Sequence, residues 1–339
     1  MRKPAILITG ANGEMGHGLI KGLARNKNID VLALDLEPLS KSMKAYVLDT
    51  INGDILDKKL LEILNTEYEF REIYHLAALL STRAEFSPLT AHDVNVNGTI
   101  NLLNLAIKQA QSQGRKVKFF FPSSIAVYGI NSFKEKMKIG SISETEYLSP
   151  ITMYGCNKLY CEQLGTYFSN NYQQLSANFK PGLLDFRSIR FPGLISAITT
   201  PAGGTSDFIP EMLHNAVRGN SYNSFVNKCT KIPFMTMPDG IEAILKLMDT
   251  PREHLTQSVY HISAFAPTTG EFKSKIESYF PNIKIGYKIN EKRQSIVNSW
   301  PSDVDDSKAK NDWNWKPNYK FQNAMEDYLI PGLKEFYKN

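Results

Sequence analysis

Apolar positions in the first 190 residues gather in short dense runs, and the segments between those runs carry a helical period. Ala5–Thr9, Ile29–Leu34, Ala45–Asp49, Glu72–Leu76, Lys116–Phe121 and Phe186–Phe191 read as strands bounded by turn residues. Most are apolar at successive rather than alternate positions, as parallel strands covered on both faces are. Leu19–Arg25, Lys58–Leu64, Asn97–Gln111 and Tyr154–Phe168 read as helices; in the third, Ile100, Leu103, Leu105 and Ala106 make the stripe turned to the core. Strand and helix in alternation predict an α/β protein with a doubly wound parallel sheet.

The texture changes near residue 192. Pro192, Pro201, Pro210, Pro233, Pro238, Pro251 and Pro267 punctuate shorter segments, with helices expected at Ile209–Arg218, Ile241–Met248 and Phe272–Tyr279. The expected division is residues 1–191 for the sheet and 192–339 for a smaller C-terminal α/β lobe, with the first part taking back later segments around 228–262. Ile130–Pro150 is long for a connection, which predicts an excursion beside the active site or a partly mobile loop.

Composition narrows the partners. Lys and Arg number 39 against 34 Asp and Glu, a net charge of +5 in 339 residues. The surplus is spread evenly, so neither a nucleic acid nor an anionic membrane is an expected partner. Lys134, Lys136 and Lys138 alternate with Phe133, Glu135 and Met137 and read as a solvated loop. Three cysteines, Cys156, Cys161 and Cys229, build no disulfide framework and no C-x-x-C pair, which suits a reducing compartment. No apolar run approaches a membrane span, and a strand begins after only four residues, so a cytoplasmic protein without a leader is expected.

Gly10-Ala11-Asn12-Gly13-Glu14-Met15-Gly16 follows the first strand and opens a helix. Glycines there allow a tight turn and a close backbone approach to a pyrophosphate, whose charge then sits at a helix N-terminus. Val31-Leu-Ala-Leu-Asp35 ends the second strand with a carboxylate placed to accept from both adenosine ribose hydroxyls. A carboxylate repels a 2′-phosphate, so the expected cofactor is NAD rather than NADP. Asp54 beside Ile55 is a candidate for the adenine edge, Leu76-Ala77-Ala78 is small enough to let the cofactor pass, and Asn95 either cross-links neighbouring segments or caps a helix.

Candidate chemistry lies at Phe121-Pro122-Ser123-Ser124 and, about thirty residues on, Tyr154-Gly-Cys-Asn-Lys158. Tyr154 and Lys158, four apart, share a helix face. A phenol titrating near 10 is a poor base at neutral pH, and a nearby ammonium favours the phenolate. Ser124, at a strand end, is placed to hold a substrate hydroxyl or carbonyl where that phenolate reaches it. The histidines, at 17, 75, 92, 214, 254 and 261, show neither H-E-x-x-H nor pairing with cysteine, so no metal is expected. His75 and His261 lie in strand-like runs and read as satisfied core or edge histidines.

Through Gly10, Gly13 and Gly16, Asn95-x-x-Gly98-Thr99, Ser123-Ser124-Ile-Ala-Val-Tyr-Gly129 and Tyr154/Lys158, the chain resembles the extended short-chain dehydrogenase/reductase superfamily, the NAD-dependent epimerase/dehydratase family. Five further blocks resemble its short-chain L-threonine 3-dehydrogenase branch. They are His75-Leu-Ala-Ala-Leu-Leu-Ser81, Arg187 to Ser196, Gly203-Gly-Thr-Ser-Asp207, Pro233 to Asp239, and Ser299-Trp300-Pro301 through Ser307. Together the blocks span nearly the whole chain.

The resemblance implies a Rossmann-like NAD-binding domain with a substrate-binding lobe. It implies Tyr154 as general base, Lys158 as its electrostatic partner and holder of the nicotinamide ribose, Ser124 as partner of the reacting oxygen, and Ser123 assisting. Asn12, Glu14, Met15 and Phe191 join the cofactor contacts. Ser81, Gly193, Thr205, Ser206, Asp207 and Trp300 are the implied substrate contacts, with Asp207 equally placed to cap the helix after it. The implied reaction is oxidation of L-threonine at its 3-hydroxyl by a homodimer. The alternatives are a nucleotide-sugar epimerase or dehydratase and an NAD-binding sensor or scaffold. Ala202 in place of a glycine, the Ser206-Asp207-Phe208-Ile209 run and the long Ile130–Pro150 segment depart from the branch and bear on substrate identity.

Overall fold

A computed structural model describes residues 2–26, 30–177 and 179–338. Seven strands, β1 (Lys3–Thr9), β2 (Val31–Asp35), β3 (Asp49–Asn52), β4 (Tyr68–His75), β5 (Val117–Ser124), β6 (Leu184–Phe191) and β7 (Val259–His261), form one sheet in the order β7-β6-β5-β4-β1-β2-β3. β1 pairs in parallel with β2 and β4, β2 with β3, and β4 with β5. The order reverses between β1 and β4, and the crevice beyond the strand ends at such a switch point is where doubly wound sheets bind ligands. This is the Rossmann-like sheet expected from the alternation of strand and helix.

The elements differ from expectation at the sheet edge. The strand predicted at Ala45–Asp49 lies at Asp49–Asn52, because the ladder to β2 opens with Asp49 opposite Leu32. The apolar run before it follows the short helix Lys41–Lys44, and its Tyr46 and Leu48 are exposed. Ile29, the first residue of the predicted second strand, lies outside the described residues.

Residues 1–123, 156–189 and 241–260 form one compact unit, and 124–155, 190–240 and 261–339 the other. A cut at residue 191 therefore misplaces 124–155, and the segment returned to the first unit is 241–260. In that unit, Phe119 and Phe121 stack on Phe186 with centroids 6.1 and 6.3 Å apart. Helix α1 (Glu14–Asn26) receives Ile241 and Leu245 at Gly18 and Gly22, where an added Cβ would meet them at 2.7 Å. Burying such side chains is worth roughly 1.5–3 kcal/mol each, so these glycines serve packing as well as the turn before them.

The second unit holds three short parallel pairs: Phe234–Thr236 with Gly193–Ile195, Ile285–Tyr287 with Tyr222–Ser224, and Asp303–Val304 with Ser141–Ile142. Phe208, Phe234, Phe265 and Phe272 are buried there with edge-on ring contacts. The lysine cluster corrects the reading of a solvated loop. Phe133–Ile139 is a helix capped by Ser132, and Lys136 is fully buried while Lys134 and Lys138 face solvent. The Lys136 ammonium donates to the Val297 carbonyl at 2.9 Å, and burial lowers its pKa to about 7. Among the described residues no helix is long and apolar enough to cross a membrane.

Candidate active site

The glycine turn is built against β4's exit. Gly10 has φ +67°, and an added Cβ would lie 2.6 Å from the Ala77 amide nitrogen. At Gly16 it would lie 2.4 Å from the Ala11 carbonyl oxygen. At Gly13 it would meet only the Gly10 carbonyl of its own turn, at 3.3 Å, which leaves the approach to the α1 N-terminus open. Glu14 and Met15 are the first residues of that helix. These amides and the open face at Gly13 suit a dinucleotide's pyrophosphate.

Asp35 ends β2 with one carboxylate oxygen accepting from the Asn12 amide at 2.8 Å and the other from the Glu37 amide at 3.0 Å. The Asn12 side-chain oxygen in turn accepts from the Ser40 amide and lies 3.1 Å from His17 Nε2, so that histidine nitrogen carries a proton. Asp54 accepts from the Leu56 amide at 2.9 Å and shapes its own turn. Ile55 is buried, and its Cδ1 occupies the space a side chain at Gly98 would need, 2.4 Å from such a Cβ.

The helix after β4's loop carries a one-turn π segment, Asp93–Asn97, before α2 (Gly98–Gln113). An inserted residue of this kind redirects side chains and recurs at functional sites. Here it turns Asn95 inward. Asn95 accepts from the Leu79 amide at 2.8 Å, donates to the Leu79 carbonyl at 3.0 Å and to Asn157 at 3.3 Å, and makes no side-chain cap. Of the two sequence readings of Asn95, the structure shows the cross-link. His75 lies between the Thr9 and Thr99 hydroxyls, 2.9 Å from each, and burial lowers its pKa to about 3, so it is a neutral core histidine.

At the end of β5 the two serines part. Ser123 is buried and its hydroxyl donates to Glu162, which ties β5 to helix α3 (Met153–Asn170). Ser124 is half-buried and caps the single turn Ile125–Val127, its oxygen accepting from the Ala126 amide at 3.1 Å. That contact spends a lone pair and leaves the hydroxyl proton for another acceptor. The same turn packs on the start of α3: a Cβ at Gly155 would lie 2.1 Å from the Ala126 carbonyl oxygen, so glycine is required beside Tyr154.

Tyr154 and Lys158 lie one turn apart on α3. Lys158 is buried, donates to the Pro122 carbonyl at 2.7 Å and sits 4.5 Å from the Phe121 ring centroid. Burial lowers its pKa to about 8 against the opposing charges of Cys161 and Glu162. Burial pushes the Tyr154 phenol upward. A phenol so placed holds its proton until a positive charge is brought to bear on it.

The implied substrate residues divide into several settings. Thr205 is buried, whereas Ser206 and Asp207 are half-buried before the helix Phe208–Val217. The Asp207 carboxylate accepts from the Gly204 amide at 2.6 Å and makes no cap to that helix, so it closes its own turn. Phe191 and Gly193 are buried, and a side chain at Gly193 would strike the Phe234 ring at 2.5 Å, which makes it a packing glycine. Trp300 is buried with its indole nitrogen lacking a hydrogen-bond partner among the described residues. Ser81 begins the helix Ser81–Phe86 in the first unit.

Sequence reading missed Arg293. Its guanidinium donates to the Gly204 carbonyl and lies on the Phe225 ring; burial lowers its pKa, opposed by Glu211, Tyr222 and Asp207. No motif flags it, since Glu291-Lys-Arg-Gln294 reads as an ordinary polar helix.

Residues 6–263 match the NAD dependent epimerase/dehydratase family, and the chain belongs to it. An uncharacterized epimerase/dehydratase of Staphylococcus aureus is 36% identical over 338 residues, covering 97% of each chain. A monomeric L-threonine 3-dehydrogenase from a metagenome, solved in its apo form, aligns with TM-score 0.83 and 34% identity over 97% of this chain and 99% of its own. The L-threonine dehydrogenase of Clostridium difficile aligns with TM-score 0.84 and 32% identity over 99% of both chains.

Proposed function

We propose that this protein oxidises the 3-hydroxyl of L-threonine to 2-amino-3-ketobutyrate, with Tyr154 as general base. The observation that carries the reading is the half-buried Ser124 hydroxyl, its oxygen accepting from the Ala126 amide and its proton left to donate, on a turn packed against Gly155, next in the chain to Tyr154. The threonine dehydrogenases that align over nearly the whole chain support the choice of substrate.

The residues fit a nicotinamide dinucleotide: the glycine turn and the α1 N-terminus would hold its pyrophosphate, Asp35 its adenosine ribose, and Lys158 its nicotinamide ribose. When bound, it supplies the hydride acceptor. Ser124 holds the substrate hydroxyl and Tyr154 takes its proton. Since burial opposes ionisation of the phenol, Lys158, whose ammonium donates to the Pro122 carbonyl, would supply the positive charge that favours the phenolate and would hold the nicotinamide ribose. Substrate carboxylate and ammonium need partners, because burying either unpaired is costly. Ser81, Thr205 and Ser206 hydroxyls are candidates for the carboxylate. Asp207 faces the ammonium only if its carboxylate serves the Gly204 amide and the substrate together.

NAD is the proposed cofactor, as the carboxylate at Asp35 supports. A cytoplasmic enzyme is proposed on the cysteine usage, and a homodimer through α2 and α3 is proposed, which a sizing measurement tests against the monomeric state of one aligned threonine dehydrogenase. A nucleotide-sugar epimerase reading is favoured by the family itself. Mixing protein, NAD and L-threonine and following NADH formation decides between them, with L-serine and a UDP-sugar alongside. NADH with threonine, lost in Tyr154→Phe, is expected; turnover of the UDP-sugar without threonine oxidation would overturn the reading.

A further inference from the structure

Beneath the Ser124 turn lies a chain of hydrogen bonds whose direction is fixed by its chemistry. His261 Nδ1 is 3.3 Å from the Asp305 carbonyl oxygen, which only accepts, so Nδ1 carries the proton. Nε2 is then bare and accepts from the Tyr128 hydroxyl beside it. The Tyr128 oxygen in turn accepts from Arg190 at 2.6 Å, and the same guanidinium nitrogen donates to the Glu144 carbonyl at 2.6 Å. Arg190, Tyr128 and His261 are all buried. Burial and the Arg190 charge hold the His261 imidazole neutral.

Tyr128 closes the turn that Ser124 opens, its amide donating to the Ile125 carbonyl at 3.3 Å. Next to it, a side chain at Gly129 would stand 1.7 Å from the Ser149 carbonyl oxygen, so this end of the turn has no room to slide. We propose that Arg190, Tyr128 and His261 are positioning residues that set the aim of the Ser124 hydroxyl. The proposal rests on the reading of Ser124 as the group that orients the reacting oxygen. It extends that reading to three buried residues joined to one another by hydrogen bonds.

The two ends of the imidazole can be tested separately. Glutamine at 261 sets its amide oxygen near the Nε2 position and keeps an acceptor for Tyr128, whereas asparagine keeps a donor for Asp305 and loses that acceptor. In the full-length enzyme with NAD and threonine, His261→Gln is expected to retain kcat. His261→Asn and Tyr128→Phe should lose about tenfold to a hundredfold in kcat with the KM for NAD unchanged, the cost of a misplaced reacting group. Equal kcat in the two His261 variants, or a Tyr128→Phe change confined to the melting temperature, would overturn the proposal.

Two readouts do not depend on the substrate. Nitrogen-15 spectra of wild-type His261 should show Nδ1 protonated and Nε2 bare. Exchange of the Ala126 amide, held by the Ser124 oxygen, should quicken in Tyr128→Phe. The opposite tautomer or unchanged exchange sinks the proposal even if the enzyme proves inert to threonine, an outcome that would instead overturn the proposed function.

Discussion

The side-chain amide of Asn95 pairs with both backbone groups of Leu79, accepting from its N–H at 2.8 Å and donating to its C=O at 3.0 Å. One side chain thereby replaces the ladder partner that the chain loses on leaving β4, and its second donor contact, to Asn157, ties the loop to α3. Asn95→Asp keeps the acceptor and loses both donations, each worth about 0.5–1.5 kcal/mol net. The expected result is weaker NAD binding by about tenfold by titration calorimetry, with threonine KM less affected. Unchanged NAD affinity would mean that the loop is held by other contacts.

Gly10→Ala should be the more severe change at the cofactor turn. It places a side chain at φ +67° and 2.6 Å from the Ala77 nitrogen, so β1's exit must part from β4's. A left-handed non-glycine residue costs about 1–3 kcal/mol before any clash is counted. A lowered thermal midpoint together with loss of NAD binding is expected; Gly203→Ala, at φ +82° with open space around the added atom, should lower the midpoint less and spare NAD.

Much of this was legible in the residues. Gly10, Asp35 and Tyr154/Lys158 each declare themselves by spacing against a strand or along a helix, and the buried parallel strands declare themselves by unbroken apolarity. The edge strand did not, because half-exposed Thr50 and Ile51 carry no such signal while the exposed Ala45–Leu48 run does. Lys136 reads as solvated from sequence, since alternation with charged neighbours says nothing about which side of a helix meets the carbonyl of Val297. Ser123 and Ser124 look alike as a pair; only Glu162, brought in from α3, separates their roles. Arg293 was hidden because its partners, Gly204 and Phe225, lie 89 and 68 residues away in the chain.

Cofactor choice should turn on Asp35. Its two oxygens take the Asn12 and Glu37 amides, which fixes the carboxylate at the end of β2, and on the proposed reading its charge opposes a 2′-phosphate. Asp35→Ser removes the charge and should bring the ratio of kcat/KM for NAD over NADP down by about tenfold or more, the equivalent of ~1.4 kcal/mol. An unaltered ratio would place the selectivity elsewhere.

Lys136 predicts a pH dependence of stability that a single substitution isolates. Its ammonium is buried against the Val297 carbonyl and its pKa is lowered from 10.5 to about 7 in the folded chain. Between those values the unfolded chain holds a proton that the folded chain has released, so stability rises with pH across this window, by at most about 1.4 kcal/mol per pH unit. Below pH 7 both states are protonated, and the penalty for burying the charge is present in full. Lys136→Met removes it, so the variant should unfold at a higher temperature than wild type at pH 6. The difference should shrink steadily as pH rises to 9, while the wild-type neutral amine gains on the thioether. Thermal unfolding of both proteins across that range checks the claim, and a gap that stays constant with pH would show that Lys136 does not lose its proton in the folded state.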